Sequence, residues 1–567
     1  MAEGEKLIEL VDGGVRIRAV DRDGNVWPVG PKFPLDKEAS AIYYSRMGGF
    51  VPPEVAIDTV LSNPAHYGAG GFEGVRVVRT PYGEGFVELS SNLARFRFST
   101  LAFGLGLITD TLKLFDDPNI DRIEHLQRTP AQFFVGGRKA LEADSELTMD
   151  VKVIYKDSRE EIVTIPFQLR AMMGEEERVV TLREMETAML VLPHLNGLVK
   201  DVQYPEDLRL INSGYFRPVF WISGEEGLKV PTVGKRPNGT LFDKPLYFAI
   251  ATLPWGRYLD EAGYNAGLDV MIAPYLRLDD LSMPVTQKIA GNYVNSARNI
   301  NIAVKLGFGE ILALNHKEEV VEGSAENLVF LFEEEGTGKL RALVPPLSSN
   351  ILAGTNRDRL IRVLQEGVEV NGKKVELEMR APSKDELYRS LDGKSKWKLS
   401  ALVMMGTGVG FIHVKSITEY PDIDQVMKLG DLRSEETYSD PLVIRRLTES
   451  GRKRMINNGQ KHPFVDIVQQ RYTEFVLADR GRLVTPVHAV DLDVAAKLFG
   501  VGIEEHTTSE IRSKAANGHY RERVNGLHQP DELRAKMREI GDALRSMYKE
   551  SIRQRSKPYA EVFTLRK

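Results

Sequence analysis

The chain has 567 residues, of which 42% are hydrophobic and 27% charged, and its formal net charge is −5. Those proportions describe a soluble globular protein of about two to four domains, and the slightly acidic balance argues against a chain devoted to nucleic acid. There is no cysteine, which excludes disulfide scaffolds, thiolate zinc sites and cysteine nucleophiles.

The opening MAEGEKLIELVDGG lacks a basic region followed by a sustained apolar run, and no apolar stretch is long enough to cross a bilayer. The expectation is a cytoplasmic protein with no membrane partner. Residues 1–36 read as an N-terminal extension with turn residues such as DRDGN and no clear motif. Next, GFEGVRVVRT and GEGFVELS alternate around a glycine turn and predict two strands. SSNLARFRFSTLAFGL predicts a helix with serine available to cap it and Leu93, Phe96 and Leu101 broadly on one face. Between about residues 107 and 180 the character changes, and MDVKVIYK and EIVTIPFQL predict a hairpin within an inserted segment.

LREMETAMLVLPHL predicts a helix interrupted or ended near Pro193, and GYFRPVFWI a strand leading into a connector rich in Gly, Lys and Pro. Strands are expected at PLYFAIATL and LDVMIAPY, then an apolar-faced helix at NYVNSARNINIAVKLG. The paired runs GEILALN and ENLVFLFEE follow, then the helix NRDRLIRVLQEG closed by a glycine, and KWKLSALVMMGTGVGFIHV as strand, turn and strand. In the last part, Leu533, Met537, Ile540, Leu544 and Met547 recur at alternating intervals of four and three. That is a helical seam, expected to dock on the chain's own body, with a helical partner as the other reading.

No complete P-loop, Gly-x-Ser-x-Gly elbow or His-Glu-x-x-His occurs, so NTPase, serine hydrolase and zincin readings lack their anchors and no metal site is expected. What remains is glycine-punctuated and polar. A helix beginning at Thr355 or Asn356 after Gly354 offers free N–H groups and the positive end of a dipole, which suits a phosphate. The MGTGVG turn adds N–H groups and the Thr407 hydroxyl, and Arg95 a fixed positive charge. Taken singly, these are an ordinary helix cap, a plain turn and a surface arginine.

Their order changes the reading. HYGAGGFEGVR, NLARFRFS, YFRP, LPWGRYL, QKIAGNYVNS, VVEGSAENLVF, PPLSSNILAGTNRDRL and MGTG occur in sequence. In that order the chain resembles the class IV aminotransferases, the pyridoxal-phosphate enzymes of fold type IV, and among them most closely the branched-chain amino acid aminotransferases. The similarity covers roughly residues 41–107 and 182–417.

The resemblance implies a mixed α/β fold: a small α/β domain over residues 37–236, carrying the insertion at about 107–180, and a larger α/β domain over 237–430, with the cofactor between them. Residues 431–567 form a C-terminal helical extension of unknown role. It implies that Lys288 joins covalently to pyridoxal 5′-phosphate and moves the substrate Cα proton, that Glu322 pairs with the pyridine nitrogen, and that Tyr293 bonds the phenolic oxygen. Arg95, Gly354, Thr355, Asn356 and Thr407 would hold the phosphate, and Gly408 would present an N–H near the substrate carboxylate. Here the chain departs from the family, because Gly408, Val409 and Gly410 stand where small alanines and an acidic residue are usual.

By the same resemblance Phe72, Tyr215, Trp255 and Tyr258 would wall the side-chain pocket, with Tyr67 supplied by the neighbouring subunit of a homodimer, and Arg217 would pair with the distal carboxylate of glutamate. The connector at about residues 223–230 would overhang the site as a lid. The implied activity is transfer of an amino group between an L-amino acid with an apolar, branched side chain and 2-oxoglutarate, as in branched-chain amino acid biosynthesis. Two alternatives remain: the same fold and cofactor with another substrate or a lyase reaction, and a catalytically silent scaffold.

Overall fold

The computed structural model describes residues 8–11, 14–20, 26–28, 41–51, 63–80, 83–103, 117–125, 147–198, 211–223, 233–235, 241–253, 261–420, 452–478, 484–487, 489–499, 535, 537–548, 550 and 551. The chain divides into two compact units. One comprises Met1–Leu126, Phe133–Gly256 and Val476–Lys567, the other Gln127–Gln132 and Arg257–Phe475.

The first unit opens with strands that the sequence reading missed. β1 (Ile8–Val11), β2 (Gly14–Val20) and β3 (Val26–Pro28) form an antiparallel sheet within the supposed featureless extension. Then come β4 (Ile42–Tyr44), β5 (Gly49–Val51), the short helix α1 (Asn63–Tyr67) and β6 (Gly70–Phe72). The expected hairpin is β7 (Val75–Thr80) with β8 (Gly83–Val87), Val77 lying opposite Phe86 and Thr80 opposite Gly83.

Helix α2 (Leu89–Thr100) follows at once, but no serine caps it. Glu88 holds the cap position in the left-handed conformation, and the Ser91 hydroxyl donates to its carboxylate at 2.9 Å. All its residues except Ser90 are buried, so α2 is a core helix rather than an amphipathic one.

The expected hairpin of the 107–180 segment is present as β10 (Leu147–Tyr155) with β11 (Glu160–Phe167), and β9 (Ile120–His125) adds a third strand on the far edge of β10. After the small hairpin β12 (Arg170–Met173) and β13 (Glu176–Val179), helix α3 (Leu182–Leu195) starts with a capping box between Thr181 and Glu184 and runs through Pro193. β14 (Ile211–Ile222), β15 (Val233–Lys235), β16 (Leu241–Asp243) and β17 (Leu246–Leu253) complete this part.

The second unit is built on one large sheet. Its elements are α4 (Glu261–Ala266), β18 (Leu268–Ile272), α5 (Asn292–Lys305), β19 (Glu310–Leu314), β20 (Val320–Glu322), β21 (Asn327–Glu334) and β22 (Leu340–Leu343). They continue with α6 (Thr355–Glu366), β23 (Glu369–Val370), β24 (Lys373–Glu378), α7 (Lys384–Leu391), β25 (Trp397–Gly406) and β26 (Gly410–Thr418). β27 (Lys453–Met455) adds to β26, and the sheet runs β20-β19-β18-β26-β25-β21-β22-β24-β23. Its core is Val270, Leu312, Phe330, Leu402 and Ile412 with their neighbours, side chains that alternate toward one face of their strands. The runs GEILALN and ENLVFLFEE do not pair with each other; β20 stands between them and pairs with both.

Helix α5 also departs from expectation. Its inward residues are Asn292, Ser296, Asn299 and Ala303, while Val294 and Val304 are exposed. The polar stripe is occupied by backbone of the preceding segment: Asn299 Nδ2 donates to the Tyr275 carbonyl and its Oδ1 accepts from the Tyr275 N–H.

The tail returns to both units. Helix α8 (Pro463–Ala478) lies mostly in the second. In the first, β28 (Val484–Pro486) pairs with β8, extending a sheet ordered β28-β8-β7-β14-β17-β4-β5, and α9 (Leu492–Phe499) follows. Residues 537–548 are helical, with Met537, Ile540, Leu544 and Met547 all buried. The seam therefore docks on its own body, where Tyr548 meets Phe499. Leu533 lies outside the described residues.

Candidate active site

Lys288 sits in the turn that feeds α5, and Asn292 fixes that turn by donating from Nδ2 to the carbonyls of Pro284 and Gln287, each at 3.2 Å. An amide bonded to two carbonyls leaves the loop little freedom. The lysine is 8% exposed, and its Nζ donates to the Tyr293 hydroxyl at 2.5 Å. Tyr293 lies on the first turn of α5, so one short segment supplies both groups.

Tyr293 lines a cavity shared with Arg277, Glu322, Ser324, Glu326 and Asn327. Glu322 ends β20 and is buried. One carboxylate oxygen pairs with Arg277, and the other accepts the Leu352 N–H at 3.1 Å and Asn327 Nδ2 at 3.5 Å. Burial pushes its pKa up, while the charges of Arg277 and Lys288 and the Leu352 N–H pull the other way. Lys288 is thus close enough to feel this carboxylate. Arg277 also donates to the Asn350 carbonyl at 2.5 Å, which ties the Glu322 partner to the segment leading into α6.

Beyond Glu322 lies a second buried acid pair. Glu310 on β19 accepts from the N–H groups of Ile311 and Ser324 and from the Ser324 hydroxyl. Glu326 is pushed well above the ordinary carboxylate range by burial and by the charge of Glu310 beside it. Between them the two carboxylates accept from the N–H groups of Ser324 and Ala325 and from the Ser324 hydroxyl, and so hold the turn between β20 and β21.

Of the predicted phosphate residues, Gly354, Thr355, Asn356 and Thr407 lie in this second unit. Helix α6 begins after Gly354, a cap position that offers no side chain to the first turn. A Cβ on Gly354 would come within 1.9 Å of Asn327 Oδ1, so this glycine is required by close approach. Asn327 Nδ2 in turn donates to the Leu352 carbonyl at 3.1 Å. Thr355 and Asn356 are buried in the first turn, and Asn356 Nδ2 has no hydrogen-bond partner among the described residues. Thr407 and Gly408 occupy the turn joining β25 and β26, and pairing of Asn327 with Met405 sets that turn beside the 322–327 segment.

The remaining predicted residues lie in the first unit or outside the described residues. Arg95 on α2 is buried in a two-pronged ion pair with Glu73, at 2.6 and 2.8 Å. Glu73 was not singled out from sequence, although it stands in the FEG motif. Phe72, Tyr215 and Arg217 cluster: the Arg217 guanidinium lies 4.7 Å from the Phe72 ring centre and 5.2 Å from that of Tyr215. Gly74 admits the Tyr215 hydroxyl, since a Cβ there would approach it to 1.6 Å. Tyr67, ending α1, is 44% exposed. Trp255, Tyr258 and the connector beyond Ser223 lie outside the described residues.

Arg277, Glu310, Glu326 and Asn327 are the participants that sequence reading missed. Glu326 and Asn327 belong to the quoted EGSAEN block, so a signal was present; nothing local marked Arg277 or Glu310.

Residues 212–417 match the family described as amino-transferase class IV. Among proteins similar to the chain, the branched-chain-amino-acid aminotransferase of Salmonella typhimurium is 32% identical over 161 residues, 28% of this chain and 47% of that protein. The probable branched-chain-amino-acid aminotransferase of Aquifex aeolicus is 35% identical over 26% of this chain and 43% of its own length. The chain thus spans about half the length of these relatives. The crystal structure of the Escherichia coli branched-chain amino acid aminotransferase aligns over 79% of this chain and 99% of that one, at 20% identity and a TM-score of 0.47. Over the matched residues the chain is similar to branched-chain-amino-acid aminotransferases.

Proposed function

We propose that the protein is a pyridoxal 5′-phosphate-dependent aminotransferase that moves an amino group between an L-amino acid with an apolar, branched side chain and 2-oxoglutarate, in two half-reactions. The observation that carries this reading is the buried Lys288 Nζ, 2.5 Å from the Tyr293 hydroxyl and within electrostatic reach of buried Glu322. The residues fit the cofactor. The start of α6, whose cap position Gly354 offers no side chain, and Asn356 Nδ2, without a partner among the described residues, suit a phosphate, and the Glu322 carboxylate has acceptor capacity beyond Arg277, Leu352 and Asn327 for a ring N–H.

Bound there, pyridoxal 5′-phosphate supplies a carbonyl that exchanges amino groups and a ring that withdraws electrons from the substrate Cα. Lys288 Nζ is the covalent anchor and the base that takes the proton from Cα. Its side chain is buried, which keeps bulk water away from the amine. Tyr293 orients that amine. The charge of Arg277 works against the rise that burial imposes on the Glu322 pKa and so favours the carboxylate form suited to a protonated ring nitrogen. Thr355, Asn356, Thr407 and Arg95 are assigned to the phosphate, and Gly408 to the substrate carboxylate. To the substrate side chain we assign Phe72, Tyr215, Arg217, Trp255 and Tyr258. Exposed Tyr67 fits a contribution to a second subunit of a homodimer, acting in the cytoplasm. No helix among the described residues is long and apolar enough to cross a membrane.

The test is a half-reaction. Cofactor-loaded protein mixed with valine, leucine or glutamate is expected to convert its visible absorption to the pyridoxamine form and release the 2-oxo acid. Conversion with none of the three contradicts this substrate assignment.

A further inference from the structure

The matched aminotransferase region ends at residue 417, yet the chain continues, and part of the continuation folds against the same unit. β27 pairs with β26, with Met455 opposite Ser416. Helix α8 then begins at Pro463, a residue suited to a first helical turn, and buries Phe464, Val465, Val468 and Tyr472. Residues 464, 468 and 472 are spaced by four, so they lie along one stripe and face inward together.

Tyr472 ends that stripe at the anion cup. Its ring packs on Phe411 of β26, with centres 4.9 Å apart and planes at 57°. Its hydroxyl donates to Asn356 Oδ1 at 2.8 Å. Both residues are buried. An amide has one acceptor oxygen and one donor nitrogen at opposite corners, so a donor on Oδ1 decides where Nδ2 points. Nδ2 is the atom without a partner among the described residues, in the first turn of a helix whose cap position is a glycine.

We infer that Tyr472, supplied by the C-terminal extension, is a positioning residue for the phosphate cup: its hydroxyl fixes the Asn356 amide so that Nδ2 donates to a phosphate ester at the start of α6. The inference rests on the cofactor reading above. It gives the extension a role in cofactor retention, because Phe411 and Asn356 come from different elements and Tyr472 touches both.

The experiment compares full-length wild type with Tyr472→Phe, which keeps the ring in its packing and deletes only the hydroxyl. Apoprotein is titrated with pyridoxal 5′-phosphate, with pyridoxal, which lacks the phosphate, and with inorganic phosphate as competitor. The expected result is about three- to tenfold weaker binding of pyridoxal 5′-phosphate and of inorganic phosphate, with pyridoxal unchanged. Equal losses for pyridoxal and its phosphate would mark a general packing defect and overturn the inference, as would no loss at all. Should Tyr472→Phe not fold, Tyr472→Leu, which also lacks the hydroxyl, is titrated in its place, with the same phosphate-selective loss expected and an unselective or absent loss overturning the inference. A wild-type protein that takes up no pyridoxal 5′-phosphate overturns the cofactor reading, and the inference with it; normal uptake by wild type and variant alike overturns only the role of Tyr472.

Discussion

The segment around Lys288 and the cluster around Arg217 are organised by different forces. Near Lys288 the contacts are directional and end on backbone: Asn292 holds two carbonyls, Leu352 N–H meets Glu322, and Asn327 reaches the Leu352 carbonyl. Around Arg217 a guanidinium spreads over two aromatic faces, Phe72 and Tyr215. Hydrogen bonds fix an atom to a few tenths of an ångström, whereas a cation over a ring tolerates sliding. The first arrangement suits chemistry at a single atom. The second suits a pocket that must take both an apolar side chain and a carboxylate.

Arg95 sharpens the contrast, because it lies in the same unit as Arg217 but is held by a two-pronged carboxylate. Glu73→Ala leaves a buried guanidinium without that carboxylate and is expected to destabilise the protein by about 3–5 kcal/mol, the largest stability effect foreseen here. Denaturant melts check it. A loss comparable to that of a surface substitution would mean that Arg95 is as loosely held as Arg217.

A slightly smaller effect is expected from pH in the first unit. His194 on α3 is buried, its Nε2 lies 3.1 Å from the Val487 carbonyl, and burial first, then the charge of Arg545, brings its pKa from 6.5 down to about 4. The unfolded chain therefore binds a proton below pH 6.5 that the folded chain refuses. This contribution is complete above pH 6.5 and is lost as pH falls toward 4, amounting to about 3 kcal/mol in all. Melts of wild type and His194→Gln between pH 7 and 4.5 should converge as pH falls; parallel curves would show that the imidazole is not held neutral.

Two glycines of the second unit give the smallest pair. Gly354→Ala sets a methyl 1.9 Å from Asn327 Oδ1 and should cost about 1–3 kcal/mol together with weaker cofactor binding. At Gly408 a Cβ meets nothing within 4 Å, so Gly408→Ala should change stability by less than about 0.5 kcal/mol. Equal effects would erase the distinction between a position fixed by directional contacts and an open turn.

Much of this architecture is written in local pattern. The hairpins β7/β8, β10/β11 and β25/β26 follow from alternation broken at glycine, and α6 from a periodic run ended by Gly367. The three N-terminal strands had a signal too, in the alternation of VRIRAV, which the surrounding turn residues obscured. Where the reading failed, the partner was distant. Arg277 reaches a carboxylate on another strand, Glu73 reaches a helix beyond the next hairpin, and Tyr472 reaches across from the tail. A lone arginine, glutamate or tyrosine carries no periodicity that announces such a contact. Helix α5 misled for a related reason, since its inward asparagines satisfy backbone that only the folded chain brings to them.

The central claim is that one amine, Lys288 Nζ, is the covalent anchor. Protein loaded with pyridoxal 5′-phosphate, reduced with borohydride and digested, should carry the phosphopyridoxyl mass on the peptide containing Lys288 and on no other, and Lys288→Ala should carry none. A stable adduct on a different lysine, or retention of the mass by Lys288→Ala, would contradict the account.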